Sequence, residues 1–278
     1  MQNLVLLGFA VPLAACLVGS DTPLPDHGGD GSDAGGGAMA ARISADTTFT
    51  GSAAIASTTT IDPGVTVTIE AGTTLEFAPG ASLVIEGTLD VKGSSASKVT
   101  MKGIGTSAFG GLDVANGGTL TLRYAVHTGG SIATRGGSTT TIVDTLMYGA
   151  AGDLVVMNGG NLTMTHSQVG APDGVADTTH CNLHVGGAGT IAITNSNIVG
   201  QAYGLMFYAG TGATFTGNNW TCGATGCGLH IDVDSQPSVS GDFSNGYFEK
   251  APPTGVAGAT ITANSLSPSP LADAGVRP

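Results

Sequence analysis

Residues 110–122 read GGLDVANGGTLTL, and a pair of glycines twice precedes a short run of alternating apolar and polar residues. In each run the apolar residues fall at every second position, first Leu112 and Val114, then Leu120 and Leu122. A period of two is typical of β-strands that bury one face. Glycine pairs favour tight turns and close backbone approach. The stretch therefore predicts two short strands that meet at a corner, with Leu side chains inward.

The same unit returns through the following hundred residues, as GGLDVANGGTLTLRYAVHTG, GSIATRGGSTTTIVDTLMYG, GDLVVMNGGNLTMTHSQVG, CNLHVGGAGTIAITNSNIVG, GLMFYAGTGATFTGNNWTCG and GLHIDVDSQPSVSGDFSNG. The first apolar residue of each copy recurs after 20 to 29 residues, at Leu112, Ile132, Leu154, Leu183, Leu205 and Leu229. A third apolar position follows in the first five copies, at Val126, Leu146, Val169, Ile198 and Trp220. A repeat of this length with strand alternation indicates a solenoid that has three short strands per turn. We predict that both sets of residues form inward-facing columns.

This pattern resembles the right-handed parallel β-helix, the superfold of the pectate lyases, over residues 58–250. Residues 58–93, TTTIDPGVTVTIEAGTTLEFAPGASLVIEGTLDVKG, look like the opening rungs of bacterial β-helix domains. The resemblance implies an all-β, single-stranded right-handed β-helix of about nine rungs. Residues 41–57 are expected to cap one end, and residues 251–278 to cap the other or to trail as a tail. The superfold carries unrelated activities, so it does not by itself indicate a function.

Composition restricts the partners of the protein. Only 10% of the 278 residues are charged, and the formal net charge is −12 with eight lysines and arginines. Nucleic-acid binding needs clustered cations, which the sequence lacks, so we expect no nucleic-acid partner. We also expect a monomer that holds no cofactor.

The N-terminus has the features of an export signal. An apolar run, Leu4 to Ala15, is too short to span a bilayer and ends in LAAC at residues 13–16. LAAC resembles the lipobox of bacterial lipoproteins, which implies a signal peptide over residues 1–16 and a lipid on Cys16 that anchors the protein in the cell envelope, at the outer membrane or cell surface. An ordinary signal peptide cleaved nearby, with Cys16 discarded, is the alternative. Residues 17–40 are rich in Gly and Asp, which favours a flexible tether.

Three further cysteines remain, Cys181, Cys222 and Cys227. Cys181 and Cys227 occupy the same column two rungs apart, about 9.6 Å, which exceeds disulfide reach. Cys222 and Cys227 flank a short hairpin, so we predict a disulfide between them and a free Cys181. The column positions also separate the thiols from His180 and His184, so we expect no metal site.

One wall of the solenoid collects titratable groups. His230, Asp232 and Asp234 alternate on a single strand, and we place them outward together with His184, as candidates for catalytic residues. A lyase of this superfold would need a base and charge neutralisation, often by Ca²⁺. Hydrolysis would need several carboxylates around one water. Solvent-facing polar residues are the simpler interpretation of this wall.

Two other surfaces suggest ligands. Tyr203, Met206 and Tyr208 make the same wall less polar than the others, which suits a shallow sugar-stacking surface. The second-strand wall carries pairs of threonines, such as Thr119 with Thr121 and Thr139 with Thr141, that resemble the flat array of ice-binding β-helices. The sequence therefore favours a non-catalytic, lipid-anchored envelope module that contacts a glycan or another envelope component. A pectate-lyase-like lyase or hydrolase, and then ice binding, are the alternatives.

Overall fold

The computed structural model describes residues 41–187, 189–224, 226–233, 238–252 and 258–278, and within these ranges every regular element is a strand. In the described residues, twenty-eight strands form three parallel sheets that wind into a right-handed β-helix of about ten turns, with three strands per turn. The predicted fold class is confirmed, and the count of about nine rungs was close.

Each turn of the chain contributes one strand to each sheet in the same order. The first sheet contains, in spatial order, β1 (Arg42–Ile43), β4 (Thr59–Ile61), β7 (Ser82–Ile85), β10 (Gly111–Val114), β13 (Ser131–Arg135), β16 (Val155–Asn158), β19 (Cys181–Gly187), β22 (Tyr203–Phe207) and β25 (Leu229–Asp232). The second contains β2 (Thr47–Phe49), β5 (Thr66–Glu70), β8 (Thr88–Lys92), β11 (Thr119–Arg123), β14 (Thr139–Val143), β17 (Asn161–Thr165), β20 (Ile191–Thr194), β23 (Ala213–Thr214), β26 (Val239–Asp242) and β28 (Ala259–Thr262). The third contains β3 (Ser52–Ile55), β6 (Thr74–Phe77), β9 (Val99–Gly103), β12 (Ala125–Thr128), β15 (Leu146–Tyr148), β18 (Gln168–Val169), β21 (Asn197–Gly200), β24 (Asn219–Cys222) and β27 (Tyr247–Phe248).

The core is a stack of aligned apolar side chains, because parallel strands in register place every second residue inside. In β10 and β11 the residues Leu112, Val114, Leu120 and Leu122 are at most 1% exposed, whereas Asp113 faces solvent, as the alternation predicted. The inward column of the first sheet, in register, is Leu112, Ile132, Val155, Leu183, Leu205 and Ile231.

The predicted column is wrong at two of its six positions. Val155 replaces Leu154 in the column, and Leu154 is buried one residue before β16 begins. Ile231 replaces Leu229, which is 51% exposed. In both rungs the connection before the strand differs in length from the corresponding connections of the adjacent rungs. This difference changes which residue of the strand pairs with the inward residue of the adjacent rung.

The third sheet also departs from the prediction at its first two repeats. His127 and Met147 are fully buried and pair with each other, whereas Val126 and Leu146 lie on the half-exposed face. Val169, Ile198 and Trp220 are buried as predicted. His127 enters the core as a neutral ring, because burial lowers its pKa to about 4, although its Nε2 donates a hydrogen bond to the Gly130 carbonyl oxygen at 2.8 Å.

A buried polar ladder lines the corner between the second and third sheets. In successive turns one residue there adopts a left-handed conformation with φ of 46° to 50°, at Tyr124, Asp144, His166 and Asn195. The residue that follows each of the last three is Thr145, Ser167 and Ser196, whose hydroxyl groups donate to the carbonyl oxygen two residues earlier. Each of these three hydroxyl groups also accepts a hydrogen bond from a backbone N–H of the preceding rung. On the next rung, Asn218 Oδ1 accepts the Ser196 N–H in the same way. The ladder therefore satisfies polar groups that the sharp corner would otherwise leave without partners.

Both ends of the described chain join the solenoid. Residues 42–55 form the first strand of each sheet, and β28 adds the last strand of the second sheet. Beyond β28 the chain runs back along the polar corner as a strap. Leu271 exchanges two hydrogen bonds with the side chain of Asn219, and Arg277 makes a bidentate ion pair with Asp144, whose side chain is only 1% exposed. The strap thus joins two residues, Asp144 and Arg277, that are 133 positions apart in sequence.

Candidate functional site

Outward side chains of the first sheet stack into one column because its strands pair in register. The column runs through Asp113, Ala133, Val156, His184, Met206 and Asp232. At the start of the column, Arg135 forms a bidentate ion pair with Asp113, with distances of 2.7 and 2.8 Å. Its second part, over β16, β19, β22 and β25, gathers rings and carboxylates. We call this surface the ring face and define it by Asp153, His180, His184, Tyr203, Met206, Tyr208 and Asp232.

Asp153 holds two imidazole rings of the ring face. It lies two residues before β16, and its Oδ2 and Oδ1 atoms lie 2.5 Å from His184 Nδ1 and 3.0 Å from His180 Nδ1. Partial burial opposes ionisation of Asp153, but the hydrogen bonds from His184 and His180 outweigh it and hold the pKa of the carboxyl below its ordinary value. The side chains remain accessible, with 23% of Asp153, 27% of His184 and 52% of His180 exposed. Asp153 is therefore an ionised group that fixes the orientation of two partly exposed rings.

Tyr208 and Asp232 form the second fixed pair of the ring face. The Tyr208 hydroxyl group donates a hydrogen bond of 2.6 Å to Asp232 Oδ2. The Tyr208 ring meets the His184 ring edge to face, with centroids 5.5 Å apart, and Tyr203 meets His180 in the same way at 5.3 Å. Two Tyr–His pairs and two carboxylates thus lie side by side on neighbouring rungs.

The structure brings together most of the residues that the sequence singled out. His184, Asp232, Tyr203, Met206 and Tyr208 all lie on the ring face. Asp153 was missed, and His180 was considered only as a metal ligand, because both precede their strands, where the two-residue alternation says nothing about direction. The sequence did contain one signal for Asp153: it is an acidic residue just before a strand, and the next rung carries His184 in the outward column.

His230 does not belong to the ring face. It was predicted to point outward, but it is only 3% exposed and packs against Phe248 at the corner with the third sheet. With Ile231 as the inward residue of β25, the strand begins with an exposed Leu229 and turns His230 toward that corner. Burial lowers the pKa of His230 to about 4, and the nearby Glu249 and Lys250 contribute in opposite directions. Asp234 lies outside the described residues, as does Cys16.

The predicted disulfide and the predicted free thiol are both present, but Leu229, and not Cys227, shares the column of Cys181 and Tyr203. Cys222 and Cys227 form a disulfide, with an S–S distance of 2.08 Å and Cα atoms 4.9 Å apart. Cys181 is free and buried, and burial, with the negative charge of Asp153, raises the pKa of its thiol to about 12. The Cys181 thiol is therefore unreactive in the folded protein.

The second sheet carries the threonine array on its outer face. Thr119 pairs with Thr139, and Thr121 pairs with Thr141, which pairs with Thr163. Asn161 and Ala192 interrupt the ladder, and the adjoining rung carries an Asp90–Lys92 ion pair of 3.4 Å. The regular threonine surface is thus limited to a few rungs.

No protein-family model, no curated protein and no solved structure matches this chain. In the part of the chain that the structure describes, no helix is long and apolar enough to cross a membrane. The geometry of the ring face is therefore the basis for a functional assignment.

Proposed function

We propose that this protein is a non-catalytic binding module of the bacterial cell envelope and that it binds a glycan on the ring face. The observation that carries the proposal is the row of two Tyr–His pairs and two hydrogen-bonded carboxylates on one wall of the solenoid. Aromatic rings present apolar faces for the C–H side of a sugar, and fixed carboxylates accept hydrogen bonds from sugar hydroxyl groups. Because the rungs repeat about every 4.8 Å, such a wall suits an extended chain better than a compact ligand.

Charge favours a neutral glycan over an acidic one. The formal net charge is −12, and the ring face itself contains Asp153 and Asp232. Arg135, which lies on the same wall, is ion-paired with Asp113. A polyanionic chain would therefore meet repulsion at this surface.

The hydrogen bonds within the ring face favour binding over catalysis. A pair of catalytic carboxylates must be available to activate a water and to protonate a leaving group. Here Asp232 accepts the Tyr208 hydroxyl group, and Asp153 accepts from two histidines. These bonds fix the carboxylates as acceptors and position the rings.

The binding proposal is tested with glycan arrays that include neutral and acidic polysaccharides, followed by titration calorimetry of the best ligand. We expect a neutral ligand, and we expect Tyr203→Ala to weaken its binding about tenfold, or about 1.4 kcal/mol, because a stacking ring is lost. Tyr148→Ala removes a half-buried tyrosine from the third sheet and is the matched control, with unchanged affinity. Equal losses in both variants, or binding of acidic chains alone, would contradict the proposal.

One observation favours a second candidate, a polysaccharide lyase or hydrolase. The Asp153–His184 contact orients an imidazole in the way that a general base requires. The same glycans are therefore incubated with the protein and assayed for new chain ends. Turnover that disappears in His184→Ala would replace the binding proposal with the enzymatic one.

The envelope location rests on the N-terminal sequence, in which LAAC follows an apolar run and an acidic, glycine-rich tether follows Cys16. A lipid on Cys16 would anchor the solenoid, since each buried CH₂ group contributes about 0.8 kcal/mol. Cells grown with a labelled fatty acid should label the wild-type protein and leave Cys16→Ala unlabelled. An unlabelled wild-type protein would contradict the anchor and leave the proposed ligand unaffected.

A further inference from the structure

The Cys222–Cys227 disulfide lies beside an open cleft at the end of the third sheet. Cys222 ends β24, Cys227 precedes β25, and both residues are partly exposed. The cleft has a volume of about 480 Å³ and is lined by the two cysteines with Gln201, Ala202, Glu249 and Lys250. A small thiol can therefore approach this disulfide, in contrast to the buried Cys181.

A histidine lies against one of the two sulfur atoms. His230 Nδ1 is 3.8 Å from Cys227 Sγ, and His230 Nε2 accepts a hydrogen bond of 3.1 Å from the Lys250 backbone N–H. Because Nε2 acts as an acceptor, the proton of the neutral ring is on Nδ1, which points at sulfur. Burial keeps the ring neutral above a pH of about 4. His230 thus presents an N–H donor to Cys227 at neutral pH.

The two cysteines have opposite electrostatic surroundings. The Lys250 ammonium group lies 2.6 Å from the Cys227 carbonyl oxygen, which places a positive charge near Cys227. The Glu249 carboxylate accepts the Cys222 backbone N–H at 2.7 Å, which places a negative charge near Cys222. A cation and an N–H donor stabilise a thiolate, and a carboxylate disfavours one. Cys227 is therefore the better leaving group, and Cys222 is the sulfur at which attack is favoured.

Zinc binding is the alternative role for the same side-chain atoms. The donor atoms of Cys222, Cys227 and His230 all lie within 4.8 Å of one another. A metal on Nδ1 would require the proton on Nε2, directly against the Lys250 N–H that Nε2 now accepts. The observed hydrogen bond therefore favours sulfur chemistry over metal binding.

We propose that Cys222 and Cys227 form a thiol–disulfide exchange site for low-molecular-weight thiols. A thiolate attacks Cys222 Sγ, the protein S–S bond breaks, and its electron pair goes to Cys227 Sγ, where the His230 N–H stabilises the thiolate. A second thiolate then attacks the mixed disulfide and releases an external disulfide. Two external thiols are oxidised, and the protein pair gains two electrons and two protons as a dithiol.

The first test measures the exchange on the full chain. The oxidised protein is equilibrated with mixtures of reduced and oxidised glutathione, quenched with acid, alkylated and analysed by mass spectrometry. We expect complete and reversible reduction of the pair under native conditions, with the mixed disulfide on Cys222 and with Cys181 unalkylated. A pair that glutathione reduces only when Cys181 also becomes alkylated would overturn the proposal, because the protein would then have to unfold.

The second test examines whether His230 stabilises the Cys227 thiolate. Alkylation rates of Cys222 and Cys227 in the reduced protein are measured against pH, with far-UV circular dichroism as the check on folding. We expect Cys227 to titrate below Cys222, and His230→Gln to slow Cys227 alkylation at pH 7 about tenfold with no change at Cys222. A merely structural role would change both thiols equally. Identical profiles for the two thiols, or retention of one equivalent of added Zn²⁺ by the reduced protein, would overturn the assignment.

Discussion

The Gly111→Ala variant is expected to lose more than about 3 kcal/mol of its free energy of unfolding. Gly111 begins β10 with a φ of 109°, which side chains other than glycine rarely adopt, and it pairs with Ser131 on the next rung. A Cβ atom at this position would overlap the backbone carbonyl oxygen of Ser131. Since that oxygen belongs to the ladder between rungs, the rungs themselves would have to move apart.

Gly117→Ala is the matched control in the same thirteen residues. Gly117 also has a positive φ, 83°, but a Cβ atom there would meet no other atom within 4 Å. Its expected cost is therefore backbone strain alone, about 1 to 2 kcal/mol. Both variants are measured by urea unfolding followed by circular dichroism, and equal losses would show that contact between rungs is not what requires glycine at position 111.

Truncation of Phe215 to alanine should lower the free energy of unfolding by about 3 to 5 kcal/mol. Phe215 is fully buried in the last turns of the solenoid and stacks on Phe243 with centroids 4.6 Å apart and planes 12° from parallel. It also packs edge to face with Phe207 and Trp220, with ring centroids 5.6 Å and 6.2 Å away. Because the neighbouring rings cannot collapse into the space without losing their own contacts, a cavity should remain.

Phe248→Ala tests whether burial in this cluster accounts for that loss. Phe248 stacks on Trp220 at 5.5 Å but is partly exposed at the last rung of the third sheet. We therefore expect a smaller loss, about 1 to 2 kcal/mol. Thermal and urea unfolding of both variants gives the comparison, and a Phe248→Ala loss as large as that of Phe215→Ala would contradict the proposed role of the enclosed rings.

The ring face shows which residues of a site can be predicted from the local sequence pattern and which cannot. Alternation alone placed His184, Met206 and Asp232 on one wall, and the register shows that His184 pairs with Met206 and Met206 with Asp232. Asp153 could not be found in this way, since it lies in a connection where the chain has no fixed alternation. His230 shows the opposite error, because alternation gave it an outward direction, whereas it is buried against Phe248.

The polar corner and the C-terminal strap left little trace in the sequence. The left-handed corner positions hold Tyr124, Asp144, His166 and Asn195, which have no shared chemistry. What they share is a place on successive rungs, and only stacking makes that visible. Asp144 and Arg277 are 133 residues apart, so no repeat or spacing could have paired them.

The sequence by itself determined that the chain forms short strands with one buried face, three to a turn, because that information lies in residues two apart and in glycines at the turns. It also determined most of the inward positions in these columns, since regular repeats align without any further knowledge. The tertiary structure decided the register wherever a connection changed length, and with it the burial of His230, the place of Leu229 and the meeting of Asp153 with two histidines. The physical reason is that each rung is positioned by hydrogen bonds to the rungs beside it, so one added residue in a loop moves the following side chains relative to the whole stack.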